Sequence, residues 1–393
     1  MDNFQLYTPT KIVFGKGEQK NIGELIKPHA KKVLVHYGSD RIKKNGLFDE
    51  VTSSLKTAGV EYIELGGVVP NPRLSLVYEG IELCKREGVE LILAVGGGSV
   101  IDSAKAIAMG VFFDGDVWSI YEERIVPEKV LPIATILTIP AAGSESSPST
   151  VITNEEKQLK WGYTTDKVRP VVSVLNPEFF FTLPKNQIAN GVADMMSHIF
   201  ERYFTQTTHT DITDGLCESV LRTIIKNAPI VVDNPDNYEA WCEIGFAGMV
   251  AHNGLLGMGR VEDWACHGME HELSAIYDIA HGAGLAILTP HWMEYVYTEH
   301  VDLFVQFAVN VMGVDANRDC EYVIFEGIRR LSEFFGRLGL PRKLTDVDID
   351  SVNLEKMAKK ATSPRVPKGS EAPLGNFKKL NWQDVLEIYK KAL

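Results

Sequence analysis

The sequence predicts an α/β domain with a parallel sheet over residues 1–183, followed by an all-α domain over residues 184–393. Three observations predict it. Strand-like and helix-like runs alternate through the first half, the pattern of a parallel sheet covered by helices. The strand-like runs stop near "TLPKNQIANG" (182–191), which sets the boundary at Leu183 and Pro184. A chain of 393 residues is also too long for one small core.

Each element has its own local reason. "KVLVHYG" (32–38) is a β-branched run ending in glycine, hence a strand. "NGLFDEVTSSLKTAG" (45–59) has helical spacing and a glycine stop. "EYIELGG" (61–67) is strand-like. "NPRLSLVYEGIELCKREG" (71–88) opens with a proline suited to a first helical turn and ends in glycine. "ELILAVGGGS" (90–99) is a buried strand running into three glycines, and "LPIATILTIP" (131–140) and "VVSVLNP" (171–177) are further strands. Helices follow at 211–229, 238–257, 282–313 and 323–339. The polar, Pro- and Gly-rich stretch 361–382 reads as a loop before a last helix.

Composition narrows the function. Apolar residues make up 45% and charged residues 23%, ordinary for a soluble globular protein. A net charge of -12 with no basic cluster argues against nucleic-acid or anionic-membrane partners. The first residues carry no apolar signal core, and no apolar stretch reaches 18 residues. Cys84, Cys217, Cys242, Cys266 and Cys320 are scattered with no CxxC pair, which points to reduced thiols and a cytoplasmic location.

Two turns suggest a nucleotide. In "LAVGGGSVIDSAKAIA" (93–108) a strand meets a helix across Gly96, Gly97 and Gly98. Glycines admit a ligand close to the backbone, and Ser99 begins a helix whose free amides and dipole favour an anion. The pattern is not GxGxxG, and a plain strand-to-helix turn explains it as well; its place at the carboxyl end of a parallel strand favours phosphate. After an earlier strand come Gly38, Ser39 and Asp40. Asp40 can accept hydrogen bonds from a ribose diol, whereas the adjacent Arg41 can pair with a 2′-phosphate. NAD and NADP both remain open, and a solvated turn competes with either.

A metal is suggested by two segments. "GVADMMSHIFERYF" (191–204) puts Asp194 and His198 one helical turn apart on one face. "DWACHGMEHELSAIYDIAHGAG" (263–284) holds His267, His271 and His281. A lone histidine in a helix is usually structural, but one carboxylate and three imidazoles suit Fe(II) or Zn(II). A bound cation also offsets the cost of burying a carboxylate. The rival is "HGMEH", an H-x-x-E-H pattern in which His267 and His271 bind zinc and Glu270 is the base of a peptidase. That leaves Asp194, His198 and the glycine turn unexplained. Five-residue patterns recur by chance.

Together, "GGGSVIDSAKAIA", "TIPAAGSESS", "NGVADMMSHIFERYF" and "DWACHGMEHELSAIYDIAHGAGLAIL" resemble the iron-containing (group III) alcohol dehydrogenases. The likeness is nearest to the butanol dehydrogenase and aldehyde reductase branch and spans nearly the whole chain. It implies a dehydroquinate synthase-like fold: a dinucleotide-binding α/β domain and a helical metal-binding, catalytic domain. It carries the divalent metal, Fe2+ or Zn2+, onto Asp194, His198, His267 and His281. It carries pyrophosphate contacts onto Gly97, Gly98 and Ser99, and cofactor contacts onto Asp102 and Thr138. Ser147 and Lys160 join Gly38, Ser39 and Asp40 as further cofactor candidates. His271 falls where the family often has a histidine near the nicotinamide, as a catalytic candidate. Two departures concern the cofactor: Ser39, Asp40 and Arg41 stand where the branch often has glycines, and "PAAGSESS" replaces a threonine-rich stretch. The implied reaction moves hydride between NAD(P)H and a small primary alcohol or aldehyde such as butanol or butanal. A homodimer is expected. A silent metal- and nucleotide-binding regulator is the non-enzymatic alternative.

Overall fold

The computed structural model describes residues 1–363 and 372–393. Residues 364–371, part of the stretch expected to be a loop, lie outside the described residues. The chain divides into two compact units: Thr8–Thr182, and Leu183–Leu393 together with Met1–Tyr7. The first seven residues thus differ from the expected boundary. The Asp2 amide donates to the Gly259 carbonyl (2.9 Å), and Thr207 Oγ1 donates to the Asp2 carboxylate (2.9 Å). Such contacts leave no periodic trace in a sequence.

The α/β unit runs β1 (Lys11–Phe14), α1 (Ile22–Ile26), β2 (Lys32–Tyr37), α2 (Arg41–Lys44), α3 (Leu47–Ala58), β3 (Glu61–Leu65), α4 (Leu74–Glu87) and β4 (Leu91–Gly96). It continues with α5 (Gly98–Gly110), α6 (Val117–Glu123), β5 (Ile133–Leu137), β6 (Ser149–Asn154), β7 (Leu159–Thr164) and β8 (Val172–Leu175). Six strands form a parallel sheet in the order β1-β8-β5-β4-β2-β3. β4 is apolar and buried throughout, and β2 is buried from Val33 to Tyr37, because helices cover both faces. On one face Val33, Val35, Leu91, Leu93, Ala134 and Val172 pack with α1 and α3. Two features escaped the sequence reading: the short edge strand β1, and the antiparallel hairpin β6–β7. α4 begins two residues beyond Pro72, whose carbonyl instead accepts the Thr153 amide (2.8 Å).

The order of strands has a functional consequence. From β2 the chain steps outward to β3, then returns to β4 on the other side of β2. The reversal falls between β2 and β4, and open parallel sheets bind ligands beyond the carboxyl ends of strands at such a switch point. The turns at Gly38 and at Gly96–Gly98 leave the carboxyl ends of these two neighbouring strands.

The second unit contains α7 (Lys185–Tyr203), α8 (Asp211–Asp233), α9 (Tyr238–His252), α10 (Ala265–Tyr277), α11 (His281–Val296), α12 (Val301–Asn310), α13 (Cys320–Arg337), α14 (Leu354–Ala361) and α15 (Trp382–Lys391). α7 is buried on nearly every face from Gly191 to Tyr203, so it is the central helix. The run 282–313, read as continuous helix, is broken into α11 and α12 because the His300 ring accepts the Leu303 amide and caps a new helix. Among the described residues no helix is long and apolar enough to cross a membrane.

Candidate active site

At the glycine turn, β4 ends at Gly96, Gly97 precedes the helix, and α5 opens at Gly98 with no side chain capping it. No side chain caps the Gly98 and Ser99 amides, while the Val100 amide donates to the Gly97 carbonyl (3.0 Å), and uncapped helix starts of this kind can bind anions. The glycines are needed for room. A Cβ on Gly96 would lie 2.4 Å from Val100, and one on Gly97 would lie 3.0 Å from Ile139. Thr138 follows β5 beside this turn, its amide donating to the Gly96 carbonyl (3.0 Å). Gly97, Gly98, Ser99 and Thr138 are thus brought together.

At the end of β2, Gly38 is half-buried and Ser39 and Asp40 are exposed. Arg41 is not poised for a phosphate: its guanidinium donates to the Thr182 carbonyl. Asp102 lies on α5 with both carboxylate oxygens accepting, from Ser144 Oγ (2.6 Å) and the Val151 amide (3.0 Å). Ser147 is turned inward. Its carbonyl faces Lys105 Nζ (2.9 Å), and its hydroxyl accepts the Ser149 amide (3.2 Å). Lys105, fully buried, also donates to the Ser144 carbonyl (2.7 Å) and the Ser149 carbonyl (2.8 Å), and burial lowers its pKa to about 8. Lys160 is buried on the β6–β7 hairpin and has its own partner.

The metal candidates come from three helices. α7 carries Asp194 and His198, α10 carries His267 and His271, and His281 is the first residue of α11. α7 and α11 approach closely because Gly282 has no side chain: a Cβ there would sit 2.0 Å from the Asn190 carbonyl oxygen. Ligand atoms of Asp194, His267 and His281 lie within 4.8 Å of one another. His267 Nε2 and His281 Nε2 are each 3.8 Å from Asp194 Oδ1. His198 is beside this trio, its ring centroid 4.5 Å from that of His267, but it is not in the convergent group. Its Nδ1 donates to the Asp194 main-chain oxygen (3.0 Å) and lies 3.2 Å from Asp194 Oδ1.

Electrostatics set the trio apart from an ordinary core. Asp194 Oδ1 and His267 Nε2 are buried with no hydrogen-bond partner among the described residues. Orphaned buried polar atoms are costly, and a carboxylate oxygen and an imidazole nitrogen 3.8 Å apart are a donor set that a divalent cation satisfies. Burial alone would raise the Asp194 carboxyl; His198, His267 and His281 overcome it and hold it well below the usual range. Burial lowers His198 to about 4. Burial opposes protonation of His267 as well, but the Glu201 and Asp194 carboxylates lift it to about 9.

Two glutamates were missed as parts of this site. Glu201 accepts the His267 amide (3.0 Å) and is hydrogen-bonded to His267 Nδ1. Glu270 is hydrogen-bonded to His281 Nδ1 and accepts from Ser274 Oγ. A signal for the first was present: Asp194, His198 and Glu201 stand at i, i+4 and i+7, one helical face. Glu270 was weighed only as a peptidase base. That geometry is not found among the described residues. His267 joins Asp194, whereas His271 joins Glu270 and His281, so the two histidines of H-x-x-E-H do not share one ligand group.

Comparison with known proteins identifies the family. The family described as iron-containing alcohol dehydrogenase matches residues 9–177, and the C-terminal family of Fe-containing alcohol dehydrogenases matches residues 188–393. NADH-dependent butanol dehydrogenase A of Clostridium acetobutylicum is 46% identical over 393 residues, covering 100% of both chains. NADPH-dependent aldehyde reductase YqhD of Escherichia coli is 36% identical over 364 residues, 92% of this chain and 93% of that one. The crystal structure of NADH-dependent butanol dehydrogenase A from Thermotoga maritima superposes with a TM-score of 0.95 at 42% identity, covering 100% of this chain and 99% of that one.

Proposed function

The chain belongs to the iron-containing alcohol dehydrogenase family, and from that premise we propose that it interconverts short primary alcohols and aldehydes, such as butanol and butanal, using NADH. The observation that carries the reading is the convergence of ligand atoms of Asp194, His267 and His281, with Asp194 Oδ1 and His267 Nε2 buried and without a hydrogen-bond partner among the described residues. On this reading Asp194, His198, His267 and His281 hold Fe(II), with Zn(II) able to take the same donors. A divalent cation there would draw charge from the alcohol or carbonyl oxygen and favour hydride exchange with the nicotinamide.

The remaining chemistry falls to the chain's own residues. Gly97, Gly98 and Ser99 offer the helix amides to the cofactor pyrophosphate. Asp40 meets the adenosine ribose, which favours NADH because a 2′-phosphate would face a like charge. The Arg41 guanidinium donates to the Thr182 carbonyl, which supports the NADH reading at this turn. The relatives named as NADH-dependent butanol dehydrogenases, 42–46% identical, agree. His271, one turn beyond His267, takes the hydroxyl proton as the carbon loses hydride. Five unpaired thiols suit a reducing cytoplasm.

The test follows oxidation of NADH and NADPH with butanal, in the parent and in Asp194→Asn, with metal content measured alongside. The parent should prefer NADH and need Fe(II) or Zn(II), and the variant should lose metal and at least a hundredfold in turnover. A variant with full metal and full turnover would overturn the ligand assignment.

A further inference from the structure

Glu201 and Glu270 are among the most buried carboxylates in the chain, at 1% and 0% exposure. Neither belongs to the Asp194, His267 and His281 group, and burying a carboxylate is expensive unless something compensates. Their shared environment identifies the compensation. Each meets the Nδ1 of a histidine whose other nitrogen faces Asp194 Oδ1 at 3.8 Å. An ionised carboxylate only accepts, so Nδ1 must carry the proton, and in the neutral ring that binds a cation Nε2 then carries the lone pair. The third imidazole, His198, is set the same way by a main-chain oxygen. The fold also makes room for one of these contacts: a Cβ on Gly284 would lie 2.8 Å from Glu270 Cγ.

We propose that Glu201 and Glu270 are positioning residues that set metal affinity, each holding one imidazole in the Nδ1–H tautomer so that its Nε2 lone pair faces Asp194. The proposal rests on the reading that this cluster holds a divalent cation. Carboxylates behind histidine ligands fix ring orientation and raise ligand basicity, and their loss typically costs about 10–100-fold in metal affinity.

The two glutamates should not respond alike to glutamine. Glu201 accepts two N–H groups, the amide and the ring of His267. Glutamine has one carbonyl and one NH2, so one of those donors would face another donor. Glu270 meets the His281 ring N–H and the Ser274 hydroxyl. A glutamine there can accept from His281 and donate to Ser274, because a hydroxyl serves either way.

Metal-free parent, Glu201→Gln, Glu270→Gln and Glu270→Leu are titrated with Co(II) against a competing chelator, following its visible absorption bands. Melting of each metal-free protein is recorded in parallel. The parent should bind one Co(II) per chain. Glu201→Gln and Glu270→Leu should bind it about 10–100-fold more weakly, and Glu270→Gln less than about tenfold more weakly. If the parent binds but every variant stays within twofold of it, the positioning role is overturned, including where metal-free melting falls. Should Glu201→Gln not fold, the Glu270→Gln and Glu270→Leu pair decides. A parent that binds no Co(II) overturns the metal reading itself, a result distinct from equal binding by all four.

Discussion

His36 lies in the middle of β2 with no exposure at all. Its Nδ1–H donates to the Leu65 carbonyl (2.8 Å), which leaves Nε2 to accept from Ser103 Oγ (2.9 Å). Burial lowers its pKa from 6.5 to about 4, with the Leu65 hydrogen bond pulling the other way. The unfolded chain therefore takes up this proton first. Stability from the neutral ring is complete above about pH 6.5 and is lost as the pH falls from there through about 4. Between pH 7.5 and 5 the loss from this one group should be about 2 kcal/mol. Denaturant unfolding of the parent and of His36→Gln at both values checks it: the variant should lose less on acidification. Equal losses would show that the ring does not contribute.

Among elements, the packing of α7 against α11 matters most, because one helix supplies Asp194 and His198 and the other begins at His281. Helices this close need a residue without a side chain at the contact, and Gly282 meets the backbone of Asn190. Gly282→Ala must separate the helices by a fraction of an ångström or distort one of them. The overpacking should cost about 1–3 kcal/mol and carry His281 away from Asp194. Thermal melting and Co(II) affinity should fall together. A variant that melts like the parent would mean that the contact relaxes without effect.

For the whole molecule, each unit has its own core, and the metal candidates all belong to the helical one. A ligand that binds only the folded form stabilises what it holds, by about 2.7 kcal/mol at a hundredfold excess over its dissociation constant. Hydrogen exchange with and without Zn(II) should therefore show added protection in α7, α10 and α11. The strands β2, β4 and β5 should be unchanged, since their amides are held by the sheet. Equal gains in the sheet would mean that the metal is felt through both units.

The sequence by itself determined most of the α/β architecture, because buried parallel strands must be apolar runs and their helices must be amphipathic. It also determined the metal candidates on α7, since Asp194 and His198 are neighbours along one helix. Edge strand β1 and hairpin β6–β7 were not legible, because short strands with mixed polarity carry little periodic signal. The fate of Met1–Tyr7 was hidden for the same reason: main-chain hydrogen bonds are indifferent to side-chain pattern. Only the tertiary structure decided which polar groups face each other across helices. It brought His267 and His281 to Asp194, assigned Glu201 and Glu270 to the far side of those rings, and tied Arg41 to Thr182. Local periodicity states which face of a helix a residue occupies, but the partner of a buried charge is chosen by packing between elements distant in the chain.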